Sequence, residues 1–248
     1  MTCNICGWYG AAFGGVEHSE SAICPCCNSI TRDRFIYHCW VARTRYDKTA
    51  RVLETSPRLG QPYRARMARR VDYLCSDWAG ESHKGNLRID LQKIELPDAS
   101  LDTILTSGVM EHVPETGPSL AEMYRVLKPG GRVYLLIPVP VGRTRVPPEP
   151  EYHEDHTLVY WHFGWDLTDQ VRAAGFHTSI LVTDDLIRRV DQRDPWDYDR
   201  ADVDVDSLLA GAPAYRQHLV SVADDRTTAR LSLRPTCFPI LWECRKPH

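Results

Sequence analysis

The sequence predicts an α/β fold, a doubly wound sheet preceded by a small cysteine-rich ribbon. Three observations carry this. Short apolar segments alternate with helical ones from residue 51 onward, helix-stop signals separate them, and two C-x2-C pairs stand ahead of them. Of the 248 residues, 43% are hydrophobic and 25% charged, an ordinary globular balance that excludes wholesale disorder. Mean hydropathy is −0.38, and no apolar run reaches the roughly 20 residues that span a bilayer. The opening MTCNICGWYG lacks a charged segment followed by an apolar one. No secretory signal and a cytoplasmic location are therefore expected.

The ribbon comes first. Nine cysteines are an odd number, and five of them fall within the first 27 residues. Cys3-x2-Cys6 and Cys24-x2-Cys27 are separated by 17 residues. Two such turns each present two sulfurs to one ion, so Cys3, Cys6, Cys24 and Cys27 are expected to bind zinc tetrahedrally. Gly7 and Asn28 follow the pairs, and both tolerate the positive φ these turns need. Four thiolates leave no open position, so the zinc would be structural. It would supply much of the folding free energy of so small a module.

A helix is expected over residues 28–46, with Phe35, Ile36, Cys39 and Trp40 on its apolar side. Arg32, Arg34, Arg43 and Arg45 would form a solvated basic face. The core follows. Strands are expected at residues 51–55, 71–76 (ending at Asp77), 101–107, 132–138, 176–182 and 236–243. Helices are expected at 57–70, 119–127 and 165–174. Lys128 to Gly131 would stop the middle helix, and Gly175 the last. The late strands could add an antiparallel edge. This gives a ribbon at 1–30, a linking helix at 31–48 and an α/β domain at 49–248. Its polar, acidic insertion at about 184–235 reads as a lid, a substrate element or an interaction surface.

The stretch IDLQKIELPDASLDTILTSGVMEHVPETGPSLAEMYRVLKPGGRVYLLIP resembles class I S-adenosylmethionine-dependent methyltransferases of the branch called type 11. The matching blocks are Asp90, Leu96-Pro97, Leu101-Asp102, Glu111-His112, Arg125 to Gly131 and Arg132 to Pro138. HFGWDLTDQVRAAGF is similar to the family's late helix and strand. The front, CPCCNSITRDR, resembles bacterial proteins that join a cysteine ribbon to such a domain. The resemblance implies a Rossmann-like seven-stranded methyltransferase sheet and S-adenosyl-L-methionine as cofactor.

It also implies a site. Ligands of open α/β sheets lie beyond the carboxyl ends of the strands, near the point where strand order reverses. Glu54, Thr55 and Ser56 end the first strand. Family members follow that acidic residue with Gly-x-Gly; this chain has Ser56-Pro57, a departure that removes one N–H and adds bulk. The Ser56 hydroxyl, the next helix's amino terminus and Arg58 are expected to meet the methionine carboxylate instead. Asp77 is placed to accept the ribose hydroxyls. The resemblance implies that Asp90 takes the adenine amino group and Leu91 offers its backbone N–H. Thr106 and Ser107 would line the methionine end.

Methyl transfer from a sulfonium asks a protein mainly to align donor and acceptor and to exclude water. A general base helps hydroxyl or carbon acceptors, and histidine suits neutral pH. The candidates are His156, within an Asp155-His156 pair, His153 and His112. The reading that results is a biosynthetic methyltransferase for a small molecule. Net charge is −3. Residues 31–70 hold eleven Lys or Arg against three acids, and residues 184–206 nine acids against four Lys or Arg. The ribbon before Arg32 contains no Lys or Arg and the net charge is negative, so nucleic acid is a disfavoured partner, because its binding depends on phosphate neutralisation. The alternatives are an RNA or protein methyltransferase that docks its substrate on the ribbon and basic segment, and a zinc-ribbon scaffold with a degenerate cofactor site. The oligomeric state is open.

Overall fold

The computed structural model describes residues 1–15, 22–78, 85–137, 142–153, 156–192, 208–233 and 239–248. The elements in chain order are α1 (Thr31–Arg43), β1 (Arg51–Thr55), α2 (Gln61–Ala68), β2 (Asp72–Asp77), β3 (Leu87–Arg88), β4 (Leu101–Ser107), α3 (Thr116–Val126) and β5 (Leu127–Leu136). They continue with β6 (Glu151–Tyr152), β7 (Leu158–Val159), α4 (Leu167–Ala173), β8 (His177–Thr183), α5 (Asp184–Val190), β9 (Leu219–Ala223), α6 (Asp225–Leu231) and β10 (Leu241–Arg245). Among the described residues no helix is long and apolar enough to cross a membrane.

One eight-stranded sheet runs β3-β2-β1-β4-β5-β10-β8-β9. Its neighbours pair in parallel except at β10, which is antiparallel to both β5 and β8. The chain leaves β1 toward β2 and β3, then returns to lay β4 on the other side of β1. Strand order therefore reverses between β1 and β4, the place where such sheets hold ligands.

Alternation in the strands feeds two cores. In β5, Val133 and Leu135 join one cluster with Leu120, Met123 and Val126 of α3 and Leu167 and Val171 of α4. Tyr134 and Leu136 join the other, with Phe35, Ile36 and Trp40 of α1, Met67 of α2 and Leu231 of α6. That second cluster also contains Cys3, Ile5, Phe13 and Cys24, so one apolar core runs across the boundary expected near residue 30.

Several expectations are corrected. The sheet has eight strands, because the insertion expected at 184–235 supplies α5, edge strand β9 and α6. Its described parts pack on the sheet, with Leu208, Ala212, Leu219 and Leu231 buried. The final strand lies inside the sheet between β5 and β8, and does not form an edge. Lys128 to Gly131 do not simply stop a helix. They loop out inside β5, whose pairing with β4 jumps from Leu101↔Leu127 to Thr103↔Arg132. Gly130 has φ +79°, which glycine adopts without cost. Arg34 is not on a solvated face: it is fully buried, donating to Ser29 O at 2.6 Å and Leu231 O at 2.8 Å. Arg43 is paired with Glu243 at 2.6 Å.

Candidate functional site

At the amino end, the four predicted cysteines converge. The Sγ atoms of Cys3, Cys6, Cys24 and Cys27 lie within 4.8 Å of one another. Cys3 to Cys27 and Cys6 to Cys24 are each 3.6 Å apart. A tetrahedron built on Zn–S bonds of about 2.3 Å has edges of about 3.8 Å, so the donor set fits zinc. Gly7 and Asn28 both take positive φ, as the turns require. The knuckle is tied directly to α1. Asp33 Oδ2 accepts from Ile30 N at 2.9 Å and caps the helix.

The knuckle is also tied to the loop after β1. Arg58 Nη2 donates to Asn28 O at 2.7 Å and to Asp33 Oδ2 at 2.9 Å. Arg58 is thereby engaged with the amino-terminal segment. Ser56 has φ +44°, in the region that favours glycine, so serine stands in a glycine conformation. Its N–H is taken by Ser76 O at 2.7 Å, and Pro57 has none. The departure from Gly-x-Gly thus keeps the turn's shape and loses its donors.

A cavity of about 80 Å³ opens at the carboxyl ends of β1 and β4. A single water needs roughly 10–15 Å³, so it holds several. Its walls include Glu54, Thr55, Ser56 and Ser107, with Arg32 and Asp33 from α1. Among the described residues, the hydroxyls of Thr55 and Ser107 on these walls, and of Thr106 beside them in β4, are buried without a hydrogen-bond partner. Such orphans are costly and point to an absent ligand or solvent. Glu54 accepts from Tyr73 Oη at 2.7 Å and from Tyr63 Oη at 3.0 Å, and Tyr63 lines the same cavity. Burial pushes its carboxyl up to about 7, against the downward pull of those hydroxyls.

Asp77 ends β2 one residue beyond Ser76, the partner of Thr55, and is 4% exposed. Asp90 follows β3 in a tight turn, its Oδ1 accepting from Gln92 N at 2.8 Å. The Leu91 side chain is a core residue, so only its backbone is left for a ligand. Asp77, Asp90, Leu91 and Thr106 stand outside the walls of the cavity beside Glu54, Thr55, Ser56 and Ser107.

His112 lies in a short 3-10 turn after β4, its Nδ1 2.8 Å from Leu158 O. His153 meets it edge to face with ring centroids 4.5 Å apart. His153 and His156 stand in the β6–β7 turn, both exposed, with His156 at φ +64°. Asp155 of the Asp155-His156 pair lies outside the described residues. Sequence reasoning missed Arg32, which it assigned to a solvated face, and Tyr63 and Tyr73 as partners of Glu54. The one available signal for Arg32 was its place in CPCCNSITRDR, directly after the second knuckle.

A doubly wound sheet with an acidic residue ending its second strand and a polar crevice at its switch point has the build of a nucleoside-binding fold. Residues 47–135 match the family described as "Methyltransferase domain". An arsenite methyltransferase of Aquipseudomonas alcaligenes is 32% identical over 110 residues, covering 41% of this chain. The match spans only 30% of that relative's length. Among solved structures, a Haemonchus contortus phosphoethanolamine N-methyltransferase 2 in complex with S-adenosyl-L-methionine aligns with TM-score 0.49 at 14% identity. That alignment covers 90% of this chain and 54% of the other. The [4+2]-cyclase SpnF aligns with TM-score 0.47 at 19% identity, covering 87% and 81% of the two chains.

Proposed function

We propose that this protein is an S-adenosylmethionine-dependent methyltransferase acting on a small-molecule acceptor. The observation that carries the reading is the set of unpartnered hydroxyls at the adjoining ends of β1 and β4, inside a segment that matches a methyltransferase domain. Bound there, S-adenosylmethionine would supply a sulfonium-activated methyl group. The chain's own work is binding, orientation and exclusion of water. Asp77 would accept the ribose hydroxyls, Asp90 and the Leu91 backbone would hold the adenine, and Thr55, Thr106 and Ser107 would satisfy the amino-acid end.

His112 is taken as the candidate base: its Nδ1–H donates to Leu158 O, and its second ring nitrogen, Nε2, stands 3.9 Å from Glu111 Oε1. His153 packs on that ring and orients it; His156 would contact the acceptor from the turn. The four thiolates would hold a structural zinc, since a closed sulfur shell offers no position for substrate. The RNA-directed alternative loses support, because Arg34, Arg43 and Arg58 of the basic segment are spent on internal partners.

The test is calorimetric titration with S-adenosylhomocysteine. Wild-type protein should bind, and Asp77→Ala should bind about tenfold or more weakly, the loss expected for a charged hydrogen-bonding partner. Absence of heat with the wild type sinks the reading.

A further inference from the structure

We propose that Arg32, delivered by the cysteine-rich amino-terminal segment, receives the carboxylate of the cofactor's amino-acid end in place of the missing glycine-loop donors; this rests on the cofactor reading above. The ligand's amino-acid end carries a carboxylate that must be met by donors once desolvated. The loop after β1 offers few. Ser56 N is bonded to Ser76 O, Pro57 has no N–H, and Arg58 is engaged with Asp33 and Asn28. Arg32 lines the same cavity as Thr55, Ser56 and Ser107. A Cβ added at Gly108 would stand 3.7 Å from Arg32 Nη1 and 3.5 Å from Glu111 Oε1. One cation and one anion thus flank Gly108, the residue directly after β4. The guanidinium fork suits a carboxylate bidentately.

The turn that carries Arg32 is fixed on both sides. Asp33 caps Ile30 N next to the knuckle and holds Arg58 across the crevice mouth. The metal knuckle therefore sets where Arg32 stands, and the amino-terminal segment forms one wall of the cofactor site.

The experiment compares two ligands on Arg32→Ala, Arg32→Gln and Arg32→Lys. S-adenosylhomocysteine has the amino-acid end; methylthioadenosine has the nucleoside without it. Loss of Arg32 should weaken S-adenosylhomocysteine binding by about ten- to a hundredfold, the range for one charge-assisted contact. Methylthioadenosine should bind within about twofold of wild type, since an untouched contact changes little. Arg32→Lys should recover part of the loss, and Arg32→Gln reports if the alanine variant does not fold. Unchanged S-adenosylhomocysteine affinity, or equal weakening of both ligands, overturns the assignment. A wild type that binds neither ligand instead overturns the cofactor reading itself.

Discussion

On one face of the sheet, α3, α4 and α5 are crossover helices, each a few residues from a strand it covers. Their apolar stripes (Leu120, Met123 and Val126 in α3, for example) lie in one local cluster. On the other face, α1 and the amino-terminal segment before it meet α6, from the opposite end of the chain, through side-chain and backbone hydrogen bonds. Arg34 spans nearly the whole sequence to reach Leu231 O, Thr31 Oγ1 donates to Ser232 O at 3.2 Å, and Thr2 N donates to Arg230 O at 2.9 Å. The first face is held by connectivity and apolar area; the second adds, to its own apolar cluster and the crossover helix α2, a knuckle and a buried cation. Only the second borders the crevice wall that holds Arg32.

The contrast can be broken most severely at the knuckle. Cys24→Ser should abolish zinc retention in elemental analysis and lower the thermal midpoint more than any single core change, because metal binding and folding of that face are one event. Hydrogen exchange should then accelerate in α1 and α6 before α3. Arg34→Met keeps volume but leaves the carbonyls of Ser29 and Leu231 unsatisfied. It should cost about 3 kcal/mol in chemical denaturation. Leu120→Ala, fully inside the first core, should cost a similar amount, about 2–4 kcal/mol. The two separate by location: Leu120→Ala should loosen α3 and leave metal content untouched. A loss of zinc in Leu120→Ala would show that the faces are not independent.

The remaining effect concerns Glu54 and depends on pH. Its folded-state pKa of about 7 stands above the ordinary 4.5. The unfolded chain therefore releases this proton first, and the group lowers stability progressively as pH rises from about 4.5 to about 7, with no further change above. Glu54→Gln should flatten that part of the stability profile, measured as denaturation midpoint against pH. An unaltered slope would remove Glu54 as its source.

Legibility in the sequence followed the range of the interactions. β1 and β4 were readable to the residue, because apolar runs bounded by polar turns mark buried strands locally. The cysteine quartet was readable because two C-x2-C turns carry their own geometry. The eighth strand was not. β9 is a short stretch, Leu219 to Ala223, whose pairing with β8 is a tertiary event. Nor did local pattern place β10 inside the sheet, because strand order is set by which edge the returning chain meets.

Arg32 and Arg34 make the division plain. They sit two residues apart in one short run, and composition treats them alike. What the sequence by itself determined was that a helix would follow the second knuckle and that both would lie in it. What only the tertiary structure decided was their fates. Arg34 is sealed against Ser29 and the distant end of α6, while Arg32 is turned to the mouth of β1 and β4. The reason is physical: a charge's environment depends on what packs around it, and those neighbours come from the far end of the chain.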